Sequence, residues 1–285
     1  MNHYKLPDGN VQISFSGGRT SGFMLHHIAE FNGGIPDRCQ VVFANTGREM
    51  PATLDFVQAV SDRWNIPIAW VEYDWKENSG CRFRVVSHNS AARNGEPFAD
   101  LIRHKKYLPN QQARFCTGDL KVKPSKDYLR SLGWEHWISA LGIRADEAGR
   151  VNREPQRERW QRWYPLADAN VSKHDVAAFW RKQPFDLQLV NINGKTPLGN
   201  CDGCFLKSEA NLAALARDYP ERHQWWQDME ELVSQTARGA AARFRKEFSR
   251  KELQWSIQHQ GRLFDVEDGF CQKDGGECTD ANEIF

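Results

Sequence analysis

The sequence contains no apolar run approaching the roughly 20 residues that a membrane span needs, so nothing in its 285 residues predicts a membrane protein. The opening MNHYKLPDGN is polar and lacks the apolar stretch of a secretory leader, and a cytoplasmic protein is expected. Charge of one sign is also missing. Lys+Arg 38 against Asp+Glu 37 excludes a polycationic or polyanionic chain, but not a local basic patch. Cysteine pairing has little to build on: seven is an odd number in a chain without an export signal. That argues against a disulfide framework and leaves reduced thiols, a metal or cluster site, or redox chemistry open. Walker A, G-x-G-x-x-G, G-x-S-x-G and H-E-x-x-H are all absent, as are internal repeats and low-complexity tracts. A P-loop ATPase, a plain dinucleotide enzyme, a serine hydrolase and a zincin therefore gain no support.

What is present is an alternation. Residues 11–15 form a β-like run, followed by Ser16-Gly17-Gly18-Arg19-Thr20-Ser21 and a helical pattern over 22–30. A second strand is predicted at 40–44, a helix opened by Pro51 runs to about Trp64, and a third strand covers 68–73. This β-α-β-α-β order predicts a parallel sheet with right-handed crossovers. Residues 74–115 read as a long excursion with one short helix near 98–103. A helix follows over 124–132, then a strand at 137–141, a loop over 145–158 and a last strand at 160–166. Ser172 is placed to cap a helix over 173–182. Further helices are predicted at 208–219 and 221–235, and a basic one at 237–256. The expected class is α/β, a doubly wound, mostly parallel Rossmann-like sheet with a helical C-terminal extension. The expected divisions are an α/β domain over 1–200, a helical extension over 201–264 opening on a Cys-x-x-Cys, and an acidic tail over 265–285.

The loop at 16–21 is the first chemical feature. A loop joining a strand to a helix N-terminus presents unpaired amides and the positive end of the helix dipole, which together make an anion site. Gly17 and Gly18 let a phosphate approach the backbone, Ser16, Thr20 and Ser21 add hydroxyls, and Arg19 adds charge. The bland alternative is a strand–turn–helix corner without a ligand.

SGGRTS resembles the PP-loop, SGG-x-x-S, of the adenine nucleotide alpha-hydrolase superfamily. Four further segments resemble phosphoadenylyl-sulfate (PAPS) reductase-like proteins in order and spacing across about residues 10–205. They are Asn45-Thr46-Gly47, then Arg114-Phe115-Cys116-Thr117 with Lys121 and Pro124, then Gly142-Ile143-Arg144-Ala145-Asp146-Glu147, then Tyr164-Pro165-Leu166 with Asp175-Val176. The resemblance implies an adenine nucleotide, ATP or a relative, with its phosphates at Ser16–Ser21 and its base near Ala44, Asn45, Thr46 and Gly47. It implies Mg2+ on the phosphates, with Gly142 and Arg144 beside them, and Arg19 and Arg144 as catalytic cations. The E-C-G-L-H segment of PAPS reductases is absent. Cys271 and Cys278 stand instead among carboxylates, which disfavour a thiolate nucleophile.

Cys201-Asp202-Gly203-Cys204 with Cys116 resembles the C-C…C-x-x-C ligands of [4Fe-4S] adenylyl-sulfate reductases, Thr117 replacing one cysteine. Soft thiolates suit an iron–sulfur cluster and also zinc. Three ligands would leave one iron open, as in cluster-dependent tRNA thiolases of the superfamily, unless Cys81, Cys271 or Cys278 completes the set. Cys39, at a strand start, reads as a buried small residue. His26 and His27, on the first helix, are not expected to be ligands.

The leading expectation is an enzyme that cleaves ATP at the α-phosphate to adenylylate an acceptor for cluster-dependent sulfur transfer. It would work with a sulfur donor or thiol reductant. A sulfonucleotide reductase releasing sulfite, and a non-catalytic nucleotide or nucleic-acid binder, are the alternatives. Basic residues at 82–106 and 121–126 can attract a nucleic acid, but a solvated charged surface is the favoured reading of any one run.

Overall fold

The computed structural model describes residues 2–75, 82–154, 158–236 and 242–259. Its centre is a six-stranded sheet in the order β4-β3-β2-β1-β5-β6. The strands are β1 (Val11–Ser14), β2 (Cys39–Asn45), β3 (Ile68–Tyr73), β4 (Phe83–Val86), β5 (Trp137–Ala140) and β6 (Trp160–Trp163). All neighbours pair in parallel except β3 and β4. The chain steps outward from β1 to β3 and then returns to the other side of β1 at β5. The order therefore reverses between β1 and β5. In open α/β sheets a ligand crevice forms beyond the C-terminal strand ends at such a reversal.

The strands are short and apolar because both sheet faces are covered. Val11, Ile13, Val41 and Phe43 are buried with Leu25, Ile28, Leu54 and Val57. These last four come from α1 (Arg19–Asn32) and α2 (Pro51–Trp64). Gly33 closes α1 in the left-handed region, with its amide on the Ala29 and Glu30 carbonyls. Pro51 occupies the first turn of α2, as expected from the sequence.

Several boundaries differ from expectation for identifiable reasons. The stretch 74–115 contains an edge strand, β4, as well as α3 (Glu96–Lys105). β4 is four residues long and half exposed, so it carries no alternation to detect. Arg84 on this strand pairs with the buried Glu72 of β3. The helix expected at 124–132 begins earlier, as α4 (Phe115–Thr117), a π-helical turn (Gly118–Val122) and α5 (Lys123–Ser131). Residues 145–150 form a 3-10 turn in place of the expected loop, closed by a reciprocal Arg144–Glu147 box. β6 ends at Trp163, and α6 (Pro165–Asp168) follows. Ser172 does cap α7 (Lys173–Trp180), in a capping box with Asp175.

The C-terminal helices are α8 (Glu209–Asp218), α9 (Pro220–Thr236) and α10 (Arg250–His259). The expected basic helix over 237–256 is corrected: among the described residues, 242–249 are not helical. Buried Glu230 accepts the Phe244 amide at 3.0 Å and the Arg250 amide at 2.7 Å, which holds the chain in a turn. Ser249 and Glu252 then exchange capping bonds and start α10 at Arg250. Phe98, Leu101, Leu120, Cys201, Cys204, Phe205, Trp226 and Phe244 share one apolar core, so α3 and the C-terminal helices are packed together. The expected acidic tail and Cys81, Cys271 and Cys278 lie outside the described residues.

Candidate functional site

The glycine loop leaves β1 where the strand order reverses. Gly17 has φ +75°, and a Cβ there would lie 2.7 Å from Thr53 Cγ2 and 3.0 Å from Val57 Cγ2. The loop thus sits directly on α2, and only glycine fits. Gly18 is the N-cap of α1 and offers no side-chain cap, which leaves the first-turn amides of α1 for another acceptor. Ser21 fixes the loop shape: its Oγ donates to the Gly18 carbonyl at 3.0 Å and accepts the Ser16 amide at 3.2 Å. Gly142, at the end of β5, lets that strand approach; a Cβ there would lie 3.3 Å from Ser21 Cα.

A cleft of about 480 Å³ opens at this loop. Ser14, Ser16, Gly17, Gly18, Thr20, Ser21 and Gly142 form one wall, and Leu187, Thr196, Gly199 and Asn200 form the other. The second wall is a strap that no sequence motif places here. Arg19 holds it. The Arg19 Nε meets the Asp186 carboxylate at 2.8 Å, Nη1 donates to Thr196 Oγ1 at 3.0 Å, and Nη2 reaches the Leu187 and Leu189 carbonyls. The Arg19 donors are directed to the strap. Arg144 is also buried, donating to Thr20 Oγ1 at 2.8 Å and to Asp146 at 2.9 Å. It touches the loop through Thr20 and is not part of the cleft wall.

The residues expected around the base are tied into the sheet end and its neighbours. Asn45 is fully buried; its amide donates to Glu72 at 2.6 Å and to the Ala92 carbonyl, and its oxygen accepts the Gly47 amide. Ala44 packs beside Val42, Val71 and Leu129. Gly47 is pressed against Gly95, 3.0 Å from a would-be Cβ. None of residues 44–47 belongs to the wall of the loop cleft. Thr46 lines a different space.

That space is a cavity, partly open to solvent, lined by Thr46, Phe98, Cys116, Thr117, Leu120, Lys121, Cys201, Cys204, Phe205 and Trp226. It brings together the three cysteines predicted from sequence, none of them in a disulfide. Cys116 enters from the helical segment that contains the π turn, an irregularity that often marks functional positions. Cys201 and Cys204 enter from the far end of the strap. Thr46 Oγ1 lies 3.3 Å from Cys201 Sγ, and the buried Glu49 carboxylate lies 4.0 Å from it. Burial pushes the Glu49 pKa up, opposed by the nearby Lys121 charge and by bonds from Thr46.

The two middle residues of the Cys-x-x-Cys are built in tightly. Asp202 is fully buried and accepts from Arg48 Nη2 at 2.7 Å, Trp226 Nε1 at 2.8 Å, the Gly203 amide at 2.6 Å and Arg222 Nε. A Cβ on Gly203 would fall 2.3 Å from Trp226 Nε1. The Asp202 amide donates to the Arg48 carbonyl, and Lys207 Nζ holds the Pro197 and Gly199 carbonyls at 2.6 and 2.8 Å. Behind Gly203 lies Arg250, buried, with Nη2 on the Gly203 carbonyl at 2.6 Å. Burial lowers its pKa to about 10, although Glu230 and Cys204 oppose the shift. Sequence reasoning misses Asp202, Lys207 and Arg250, since nothing local distinguishes a hub carboxylate from a surface one.

His223 is buried beside this hub, its Nε2 3.0 Å from the Arg250 carbonyl. Burial lowers its pKa from 6.5 to about 4. Between those values the unfolded chain takes up a proton that the folded chain refuses, so stability falls as pH drops, by up to about 3 kcal/mol. Glu230, whose pKa is raised by burial, contributes with the opposite sign. A His223→Gln variant is expected to lose less melting temperature than the parent between pH 6.5 and pH 4. Equal slopes would show that His223 does not set the acid limit.

The donor set also limits the metal. Tetrahedral zinc at ~2.3 Å from each ligand would set sulfur–sulfur spacings of about 3.8 Å. Among the described residues the three cysteines do not form a group with all ligand atoms within 4.8 Å; His26, His27 and Glu30 do. The three thiols line one apolar cavity and are not drawn into the spacing of a single zinc ion. The His26–His27 cluster is packed against Phe23, Trp64 and Phe179.

Comparison with known proteins identifies the family. A family model described as the phosphoadenosine phosphosulfate reductase domain matches residues 10–189. The nin region protein ORF290 of Escherichia phage lambda, uncharacterized, is 32% identical over 213 residues, 72% of this chain and 69% of that protein. An uncharacterized 37.8 kDa protein of Escherichia phage 186 is 23% identical over 81% of this chain and 78% of its own. Among solved structures, phosphoadenylyl-sulfate reductase from Candida auris in a phosphate complex is similar at TM-score 0.40 and 17% identity, covering 64% of this chain and 75% of that one. The U34-tRNA thiolase NcsA from Methanococcus maripaludis with its [4Fe-4S] cluster is similar at TM-score 0.32 and 12% identity, covering 90% and 83%. No helix among the described residues is long and apolar enough to cross a membrane.

Proposed function

The chain belongs to the phosphoadenosine phosphosulfate reductase domain family, and from that premise we propose that it cleaves ATP at the α-phosphate to activate an acceptor for sulfur transfer. One observation carries this reading. Gly199 and Asn200 line the cleft at the glycine loop and Cys201 and Cys204 line the thiol cavity, within six residues of one another. The two chemistries share a wall.

ATP enters as its Mg2+ complex. The amides of Gly17, Gly18 and the first turn of α1 hold the phosphates, with Ser16 and Thr20 beside them and Gly142 admitting the backbone closely. These dipoles are oriented before the substrate arrives, which favours charge developing on the leaving pyrophosphate. An acceptor oxygen attacks the α-phosphorus, the bond to the β-phosphate oxygen breaks, and pyrophosphate leaves. A sulfur nucleophile then attacks the acceptor carbon, and AMP departs with the oxygen. Arg19 keeps the strap closed over the loop during both steps, and Leu187 excludes water. Cys116, Cys201 and Cys204 would hold a [4Fe-4S] cluster, which supplies a binding place for the transferred sulfur. Phe98, Leu120, Phe205 and Trp226 keep that place dry.

The test begins with anaerobic purification followed by iron and acid-labile sulfide analysis. About four of each per chain, with absorbance near 400 nm, is the expected result. Cys201→Ala should abolish the absorbance while leaving ATP binding within about twofold of the parent, because Cys201 is outside the phosphate cleft. An unchanged spectrum would sink the ligand assignment. Sulfite released from adenylyl sulfate or PAPS, without ATP cleavage, would move the protein to the reductase reading.

A further inference from the structure

One exposed face carries aromatic rings that core packing does not explain. Trp75 is 39% exposed, and its ring stacks on His104 with centroids 3.3 Å apart and planes inclined by 29°. The Arg82 guanidinium stands 5.0 Å from the Trp75 ring centroid. Tyr107 is 50% exposed and lies 6.1 Å from Phe115. Lys105 Nζ is 5.5 Å from the same Phe115 ring. Phe115 precedes Cys116, which lines the thiol cavity. His104, Lys105 and Tyr107 follow one another at the C-terminal end of α3, so both ring pairs stand at that helix end, and Phe115 adjoins the cavity residue Cys116.

Arg82, Arg103, Lys105 and Lys106 stand here among Asp74, Asp100 and Asp119, which leaves a small excess of positive charge. Arg103 pairs with Asp100 and Lys105 with Asp119, at the surface, where such pairs exchange readily with other anions. Lys106 adds a third cation beside them, at the C-terminal end of α3. Partial desolvation and the charges of Arg82 and Lys105 lower the His104 pKa, opposed by Asp119. Open rings interleaved with cations are the arrangement that binds unpaired bases: the rings stack on the base and the cations follow the phosphates.

We propose that this face binds single-stranded nucleic acid, with one base extending the Trp75–His104 stack and the backbone running along Lys105 and Lys106 towards Cys116. That the bound strand is also the sulfur acceptor rests on the function proposed above; the binding surface does not. A duplex would not serve, because its bases are already stacked on each other.

The experiment is fluorescence anisotropy on the full chain, using a labelled 20-nucleotide single strand as RNA and as DNA, with the matching duplex and polyphosphate as competitors. Single strands are expected to bind at least tenfold tighter than the duplex, and the RNA and DNA arms show whether the 2′-hydroxyl contributes. Trp75→Ala should weaken binding by roughly 5- to 150-fold, whereas Trp75→Phe should retain most of it. The Lys105→Ala/Lys106→Ala pair should flatten the dependence of log affinity on log salt by about 0.7 for each phosphate that the two lysines neutralise. An unchanged melting temperature in Trp75→Ala confirms that the weakening is local. Equal binding by Trp75→Ala and parent overturns the proposal. So does competition by duplex or polyphosphate as strong as by the single strand, or Trp75-dependent sedimentation with anionic vesicles in place of strand binding. ATP binding is measured on the same variants. Trp75-dependent strand binding without ATP cleavage would leave the surface standing and remove the sulfur-transfer function. ATP cleavage without strand binding would do the reverse.

Discussion

Asp202→Ala is expected to cost about 3–5 kcal/mol of stability and to lower Tm by on the order of 10 °C. Asp202 is fully buried and accepts four hydrogen bonds, two of them from guanidinium groups. Removing the carboxylate leaves Arg48, itself 2% exposed, without its charge partner. Burial already lowers the Arg48 pKa, and Asp202 is the main group opposing that shift. The cost is thus the penalty of stranding a buried cation, not the modest net value of one ion pair. Asp202→Asn keeps the shape and part of the bonding and should fall between. Asp218→Ala, which breaks an exposed pair with Arg217, serves as the control and should change stability by no more than ~0.5 kcal/mol. Thermal unfolding of the three variants decides the matter. A Tm for Asp202→Ala within about 2 °C of the parent would refute the hub. On the proposed cluster assignment the same variant should also bind less iron, because the Asp202 carboxylate ties the turn between Cys201 and Cys204 to Arg48, Arg222 and Trp226.

The second large effect is expected at the glycine loop. Gly17→Ala should weaken ATP binding by about 100-fold, measured by titration calorimetry. Alanine at φ +75° costs about 1–2 kcal/mol in backbone strain. Its methyl group would also fall 2.7 Å from Thr53 Cγ2, on a packed helix that cannot retreat. The loop must move instead, and its amides leave the phosphate positions. Gly9 separates the two causes: its φ is +82°, and nothing lies within 4 Å of a Cβ there. Gly9→Ala carries the strain without the crowding and should bind ATP as the parent does. Parent-like binding by Gly17→Ala would mean that the phosphates do not rest on this loop.

Much of the fold is legible in the sequence because the sheet is made of local patterns. The β1–loop–α1 unit, the Pro51 start of α2 and the Ser172 cap each depend on residues adjacent in sequence. The three cysteines are legible as a set through the resemblance of Cys116 and the Cys201–Cys204 pair to a ligand pattern, and all three line one cavity. β4 is not legible, since a four-residue half-exposed edge strand has no period. The break before α10 is signalled by Ser249 and Glu252, a capping box inside a basic run that otherwise favours helix.

The sequence by itself determined which groups are present and in what local frame: a glycine turn feeding a helix N-terminus, three soft thiols, and a parallel α/β alternation. These follow from backbone sterics and short-range hydrogen bonding, which act over a few residues. Only the tertiary structure decided what each group faces. It set Arg19 on Asp186, assigned Asn45 to Glu72, and made Asp202 a buried hub. It also laid residues 186–204 across both cavities. Those outcomes depend on which distant charges and rings share a desolvated space, and an unpaired charge in such a space is too costly to persist.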